Sequence, residues 1–272
     1  MGATARLFWI DAFADAPFGG NPAAVCLTDA DLPGSVKQGI ARELNLSETV
    51  FIWPRGHGYA IRWFTPTKEV PLVGHATLAA AYVVLTYLEP ERAAVAFFSL
   101  VSGELAAYRD GAGLAIELPA DRTVDCPPPA DLVAGLGAQP DSVRVGRHYM
   151  ALFADEDIVA GLQIDFAALA RLDRPTIIAT APGTRCDYVL RFFAPANGVP
   201  EDPVSGVAQC SLAPYWSSRL ARNRLVSDQL STRGGRMCCW MRDDRVVISG
   251  ACSPIAQGEF DPVVVGKTAA IG

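Results

Sequence analysis

Along the first third of the chain, apolar residues come in short strand-like runs separated by turn-forming residues. Leu7 to Phe13 and Ala23 to Leu27 read as strands on either side of the turn Phe18-Gly19-Gly20-Asn21-Pro22. Val36, Ile40, Ala41 and Leu44 then recur at helical spacing, and Asn45 suits the left-handed position that closes such a helix. Glu48 stands where this helix gives way to strand. Thr49 to Trp53 and Tyr59 to Phe64 read as the two arms of a hairpin turning at Pro54 and the glycines around His57. After the loop Pro66 to Pro71 a helix begins near Gly74. The apolar stretch from Ala76 to Leu88 belongs to it and is shorter than the roughly 20 residues that cross a bilayer, so a buried helix is expected. Strand-like runs at Ala93 to Phe98, Glu104 to Arg109 and Leu114 to Leu118 finish this half.

The proline-rich segment Pro119 to Pro129 cannot continue a helix or a central strand and reads as a linker. Beyond it the same logic returns. Strands are expected near Ser142 to Phe153, Thr176 to Thr180 and Tyr188 to Phe193, with a helix near Phe166 to Leu172. Another helix starts at Gly206, and closing strands at Met237 to Met241 and Val246 to Gly250 follow. Phe64-Thr65-Pro66, a loop, Gly74-His75-Ala76 and a helix to Tyr82 are echoed by Phe193-Ala194-Pro195, a loop three residues longer, Gly206-Val207-Ala208 and a helix to Tyr215. So degenerate an echo fits either duplication or chance in a chain rich in Phe, Pro and Ala.

Composition narrows the classes of partner. Half of the 272 residues are hydrophobic and 19% are charged, which predicts a compact protein with a large core. A net charge of −6 disfavours nucleic acid or an anionic membrane as main partner, while leaving room for a local basic pocket. The amino terminus lacks the three-part organisation of a secretory signal. Seven cysteines, an odd number without framework spacing, suit reduced thiols in a cytoplasmic protein.

The two glycines at helix starts direct attention to chemistry. A helix amino terminus offers N–H groups and partial positive charge to a carboxylate or enolate, although a glycine there can also simply relieve crowding. His75 follows the first of them and is either ligand-facing or structural. Before the second, Glu201 and Asp202 form a carboxylate pair stiffened by Pro203; Asp202 is the better placed, as a catalytic group or as a turn-stabilising acid. Glu48 borders Val50, Phe51 and Ile52, so it is either a partly desolvated base or a solvent-facing strand residue. No His-x₃-His, Cys-x₂-Cys or carboxylate cluster has metal-ligand spacing, and nucleotide-binding and hydrolase-elbow signatures are absent.

These residues also form a pattern. Asp11-Ala12-Phe13 with Phe18 to Val25, Asn45 to Phe51, Phe64-Thr65-Pro66 with Gly74 to Leu78, and Glu201 to Gly206 closely resemble, in order and across nearly the whole chain, the PhzF-like family of phenazine biosynthesis. The resemblance implies a diaminopimelate-epimerase-like α/β fold of two similar lobes, each a curved mixed sheet around a central helix, with the active site between them. The lobes would be residues 1–118, completed by 258–272 through a returning segment at Phe260 to Val265, and residues 119–257. It further implies a homodimer and a cofactor-free isomerase of bacterial secondary metabolism acting on a small, conjugated, carboxylate-bearing amino acid. Glu48 would be the proton shuttle, His75 and Asp202 would assist catalysis, and Asn21, Gly74, Gly206 and Val207 would bind substrate.

Two positions depart from related patterns. Related epimerases carry paired cysteines before the two glycines, where this chain has Val73 and Ser205, so two-thiol racemisation is not expected. The family usually continues Gly-Ser-Ala-His where this chain has Gly206-Val207-Ala208-Gln209, exchanging a hydroxyl and an imidazole near the expected ligand. This leaves two alternatives to the isomerase: a lyase- or hydrolase-like reaction on a similar substrate, and a catalytically silent binding homologue.

Overall fold

The computed structural model describes residues 5–261, and the chain divides into two compact units. One runs to Glu117 and resumes at Gly250; the other is continuous from Leu118 to Ser249. The return to the first unit therefore begins upstream of residue 258. It is made by a strand at Cys252–Glu259 that pairs antiparallel with the first strand of the chain, after which the Phe260 N–H donates to the Ala5 carbonyl (2.9 Å). The expected segment Phe260 to Val265 lies mostly outside the described residues.

In chain order the first unit contains β1 (Ala5–Ala12), β2 (Asn21–Thr28), α1 (Gly34–Leu44), β3 (Glu48–Arg55), β4 (Gly58–Phe64), β5 (Glu69–Val70), α2 (Gly74–Val83), β6 (Ala94–Ser99), β7 (Gly103–Asp110) and β8 (Gly113–Pro119). The second contains β9 (Val124–Cys126), α3 (Ala130–Leu136), β10 (Ser142–Val145), β11 (Tyr149–Leu152), α4 (Glu156–Gly161), α5 (Phe166–Leu169), β12 (Ile177–Pro182), β13 (Tyr188–Ala194), β14 (Val199–Glu201), α6 (Gly206–Leu220), β15 (Leu225–Gln229), β16 (Gly235–Arg242) and β17 (Arg245–Gly250); β18 is Cys252–Glu259.

The pairings repeat. In the first unit the order β18, β1, β2, β3, β4, β6, β7, β8 is joined antiparallel, antiparallel, parallel, antiparallel, parallel, antiparallel, antiparallel. In the second the order β9, β10, β11, β12, β13, β15, β16, β17 gives the same series. Each has a short antiparallel spur, β5 on β4 and β14 on β13, just before its long helix. The degenerate sequence echo is thus part of a full topological repeat.

Helix α2 is buried on nearly all sides by Ala76, Leu78, Ala79, Ala80, Ala81 and Val83. Such all-round apolarity makes a central helix rather than a surface one. Its small side chains let a sheet curl closely around it. The expected run to Leu88 continues, but as a π-helical turn over Val84–Leu88. Helix α6 is the counterpart, buried through Ala208, Leu212, Ala213 and Trp216. The second unit has its own core, in which Leu132, Leu136, Val159 and Leu169 pack against Ile177, Val189 and Phe193. In the first, Ile40 and Ala41 of α1 cover Cys26, Phe51 and Phe64 on the outer face of the sheet. The expected linker is not wholly irregular: β9 forms within it because Val124 to Cys126 find a partner in β10 ahead of the prolines.

Candidate active site

Asn21 reaches its place through a turn that only glycine allows. Gly20 has φ +67°, and a Cβ there would lie 2.3 Å from the Ala12 carbonyl oxygen. The chain then enters β2 with Asn21 fully buried. On the neighbouring strand, α1 ends at Asn45 in the left-handed conformation (φ 49°). The released chain joins β3 parallel to β2 with Glu48 opposite Ala23, which brings Ser47 and Glu48 beside Asn21. The third contribution is His75, 3% exposed in the first turn of α2.

Their side chains form a line. Ser47 Oγ donates to Asn21 Oδ1 (3.1 Å), Asn21 Nδ2 donates to His75 Nδ1 (3.1 Å), and His75 Nε2 lies 3.0 Å from Glu48 Oε2. An amide nitrogen can only donate, so Nδ1 presents its lone pair and the neutral ring carries its proton on Nε2, toward the carboxylate. The separation suits a hydrogen bond, although the ring N–H is not aligned with the oxygen. The Glu48 side chain is 15% exposed and that of His75 4%. Glu48 is therefore a largely enclosed residue facing an imidazole, not a solvent-facing strand residue, and of the pair it is the carboxylate that reaches the surface.

Asp202, Gly206 and Val207 form a separate group in the second unit. The Asp202 N–H donates to the Phe192 carbonyl (2.9 Å). Gln229, at the end of β15, holds the same loop twice: Nε2 donates to the Asp202 carbonyl (2.6 Å) and Oε1 accepts from the Ser205 N–H (2.8 Å). Ser231 Oγ adds a bond to the Pro203 carbonyl (2.7 Å). Gln229 is absent from the sequence-based expectations, yet its alternation with Leu225 and Ser227 marks it as inward-facing once β15 is recognised.

The two long helices begin alike. Val73 and Ser205 are both extended, and neither terminus has a side-chain cap, so the first-turn N–H groups of Gly74 and Gly206 are not taken by a capping side chain. Val207 is half-buried in that first turn. Gln209 corrects an expectation. It is fully buried, accepts from the Tyr188 hydroxyl (2.5 Å) and directs its amide nitrogen at Met237 Sδ (3.6 Å). The exchange of imidazole for amide is accommodated in the core and does not alter a ligand-facing group. All seven cysteines are free, and burial pushes the thiol of Cys186 up to about 11 and those of Cys210 and Cys252 to about 12, away from the thiolate form. Among the described residues no three His, Cys, Asp or Glu side chains gather as metal ligands, and no helix is long and apolar enough to cross a membrane.

A duplicated mixed-sheet unit wound on a small-residue helix is an epimerase-type architecture. A hydroxyproline epimerase from Agrobacterium vitis shares this fold, with a TM-score of 0.60 at 9% identity over 97% of this chain and 95% of its own. Closer likeness defines the family: residues 10–258 match the model of the phenazine biosynthesis-like proteins, PhzC-PhzF, and the chain belongs to that family of isomerases. An uncharacterized isomerase of Pseudomonas aeruginosa is 46% identical over 252 residues, covering 93% of this chain and 97% of its own. A PhzF-family phenazine biosynthesis protein of Enterococcus faecalis, known from a crystal structure, has a TM-score of 0.92 at 39% identity, covering 95% of this chain and 99% of its own.

Proposed function

We propose that this isomerase moves a proton between carbons of a small, conjugated, carboxylate-bearing amino acid, with Glu48 as the carrier and no external cofactor. The observation that supports it is the line Ser47, Asn21, His75, Glu48. The Glu48 carboxylate takes a proton from one carbon and, as the acid, returns it to another, so protons and electrons balance within one substrate. His75 holds its Nε2 3.0 Å from Oε2, close enough for a small rotation to make the bond that orients the carboxylate for both transfers. Negative charge left on the substrate spreads through its conjugated system and is met by the first-turn N–H groups at Gly74, which no side chain caps. The family description, phenazine biosynthesis-like, supports a place in secondary metabolism. Free thiols throughout and the net charge of −6 support a reducing, cytoplasmic setting without nucleic-acid or membrane partners, and a homodimer completes the reading.

Proton exchange in D₂O, followed by NMR and mass spectrometry on a panel of cyclic dienyl amino acids, tests it. Wild type is expected to give an isomer of unchanged skeleton with deuterium at carbon, and Glu48→Gln to lose exchange by at least about a hundredfold, the scale of general acid–base catalysis. Exchange that survives in Glu48→Gln would remove the carboxylate from the mechanism.

A further inference from the structure

The second unit contains a concavity of about 770 Å³ that shares no residue with either group above. Arg122, Arg144 and Arg219 line it together with Thr123, Tyr215 and Asp243. Three guanidinium groups around one hollow are unexpected in a chain of net charge −6.

Its walls are built around a proline. Pro214 lies inside α6, where it has no N–H to donate to the Cys210 carbonyl one turn earlier. That carbonyl instead accepts from the Asp121 N–H (2.8 Å). The Asp121 carboxylate then accepts from Ser211 Oγ (2.7 Å) and the Arg147 N–H (2.9 Å), and the Ala120 N–H donates to the Asp244 carbonyl (2.9 Å). The strap 120–123 is thereby pinned to the helix, with Arg122 and Thr123 on the wall of the hollow. Asp121 already holds two donors.

Arg144 is fixed as well. Its Nε donates to Thr123 Oγ1 (2.9 Å), Nη2 to the Thr123 carbonyl (2.7 Å) and Nη1 to Asp125, while the guanidinium lies 5.7 Å from the centroid of the Tyr215 ring. Because Thr123 Oγ1 accepts from Arg144, its own O–H remains to donate. Asp125 and the rim residue Asp243 offset part of the positive charge. Arg122 and Arg219, by contrast, have no ion-pair or hydrogen-bond partner among the described residues. Most arginines of this unit are engaged: Arg171 with Asp131, Arg191 with Glu201, Arg222 with Asp187 and Arg236 with Asp228.

We infer that this hollow is a binding site for a small dianionic oxyanion, a phosphate monoester or inorganic phosphate, gripped by Arg122 and Arg219 with help from the Thr123 hydroxyl. Two uncommitted guanidinium forks match two negative charges and a tetrahedral set of oxygens, and a single carboxylate would leave one fork unused.

The test is titration of the full-length protein at pH 8 and constant ionic strength with inorganic phosphate, phenyl phosphate and acetate, read by amide chemical shifts. Saturable shifts at residues 122–123 and 215–219 are expected for both phosphates, with acetate at least about tenfold weaker. Arg122→Gln with Arg219→Gln should weaken phosphate by on the order of a hundredfold, whereas Arg185→Gln, which removes an exposed arginine of the same unit outside the hollow, should leave it unchanged. Thermal melts establish that each variant is folded. Shifts that fail to saturate, equal binding of acetate, or equal loss in Arg185→Gln would each overturn the inference, the last by reducing it to general attraction of charge.

Discussion

Asn21 decides how His75 can act. With its amide nitrogen directed at Nδ1, it disfavours a proton there and hence an imidazolium, which would need donors on both ring nitrogens. A neutral ring with its proton on Nε2 offers Glu48 a donor without supplying a fixed positive charge. Replacing the amide by an acid reverses this, since a carboxylate at position 21 accepts from Nδ1–H and favours the cation. Asn21→Asp is therefore expected to raise the titration midpoint of His75, seen by ¹⁵N-detected NMR, and to lower the exchange rate on the order of ten- to a hundredfold, as for partners that orient catalytic groups. An unchanged His75 midpoint in that variant would show that the amide does not set the protonation state.

The repeat extends to how elements are tied together. Asn21 opens β2 and Ser47 precedes β3; at the corresponding places of the second unit, His148 precedes β11 and Thr176 precedes β12, and these two also bond, Nδ1 to Oγ1 at 2.6 Å. In one copy the tie leads to a histidine and a carboxylate; in the other His148 ends against the ring of Phe192, 5.5 Å away. Burial holds His148 down at about 4. Folded, the ring stays neutral where the unfolded chain, with a histidine value near 6.5, takes up a proton. Stability is thus fully present above about pH 6.5 and falls as pH drops toward 4, by up to about 3 kcal/mol. Thermal melts from pH 7.5 to 4 should show this slope in wild type and a shallower one in His148→Asn. Parallel curves for the two proteins would assign the acid sensitivity elsewhere.

For the molecule as a whole, continuity of chain separates the two units. The second is one segment with its own core, whereas the first needs β18 to cover β1 after the chain has completed the second. A chain ended after Ser249 deprives β1 of its β18 ladder and leaves the second unit's segment intact. Its amide spectrum is expected to lose the dispersed signals of residues 5–117, Asn21 and Glu48 among them, and to keep those of 118–249. Uniform retention or uniform loss would mean that the units do not respond separately to the missing strand.

Local chemistry made much of this legible in advance. Asn45 closing α1, the strands around Glu48 and the starts of α2 and α6 depend on turn residues and apolar periodicity within a few positions, and motif order was enough to indicate the family. Less visible were the elements whose partners are distant. β9 and β18 are short, or exposed, or contain proline, and exist because β10 and β1 offer them ladders. The same holds at the site. From sequence, Glu48 and His75 were separate candidates, each with a bland alternative, and Asn21 entered only through the family resemblance; that their side chains form one line depends on a parallel pairing and a helix entry. Gln209 shows the converse, since its position in a motif suggested a ligand-facing group and packing against Tyr188 and Met237 made it core. Sequence by itself determined which residues are able to turn, to cap, to be buried and to carry a proton, because those are properties of single side chains and short segments. Only the tertiary structure decided which of them meet, because contacts across 26 and 54 positions, as in Ser47 with Asn21 and Asn21 with His75, are set by strand pairing over the whole unit and leave no local trace.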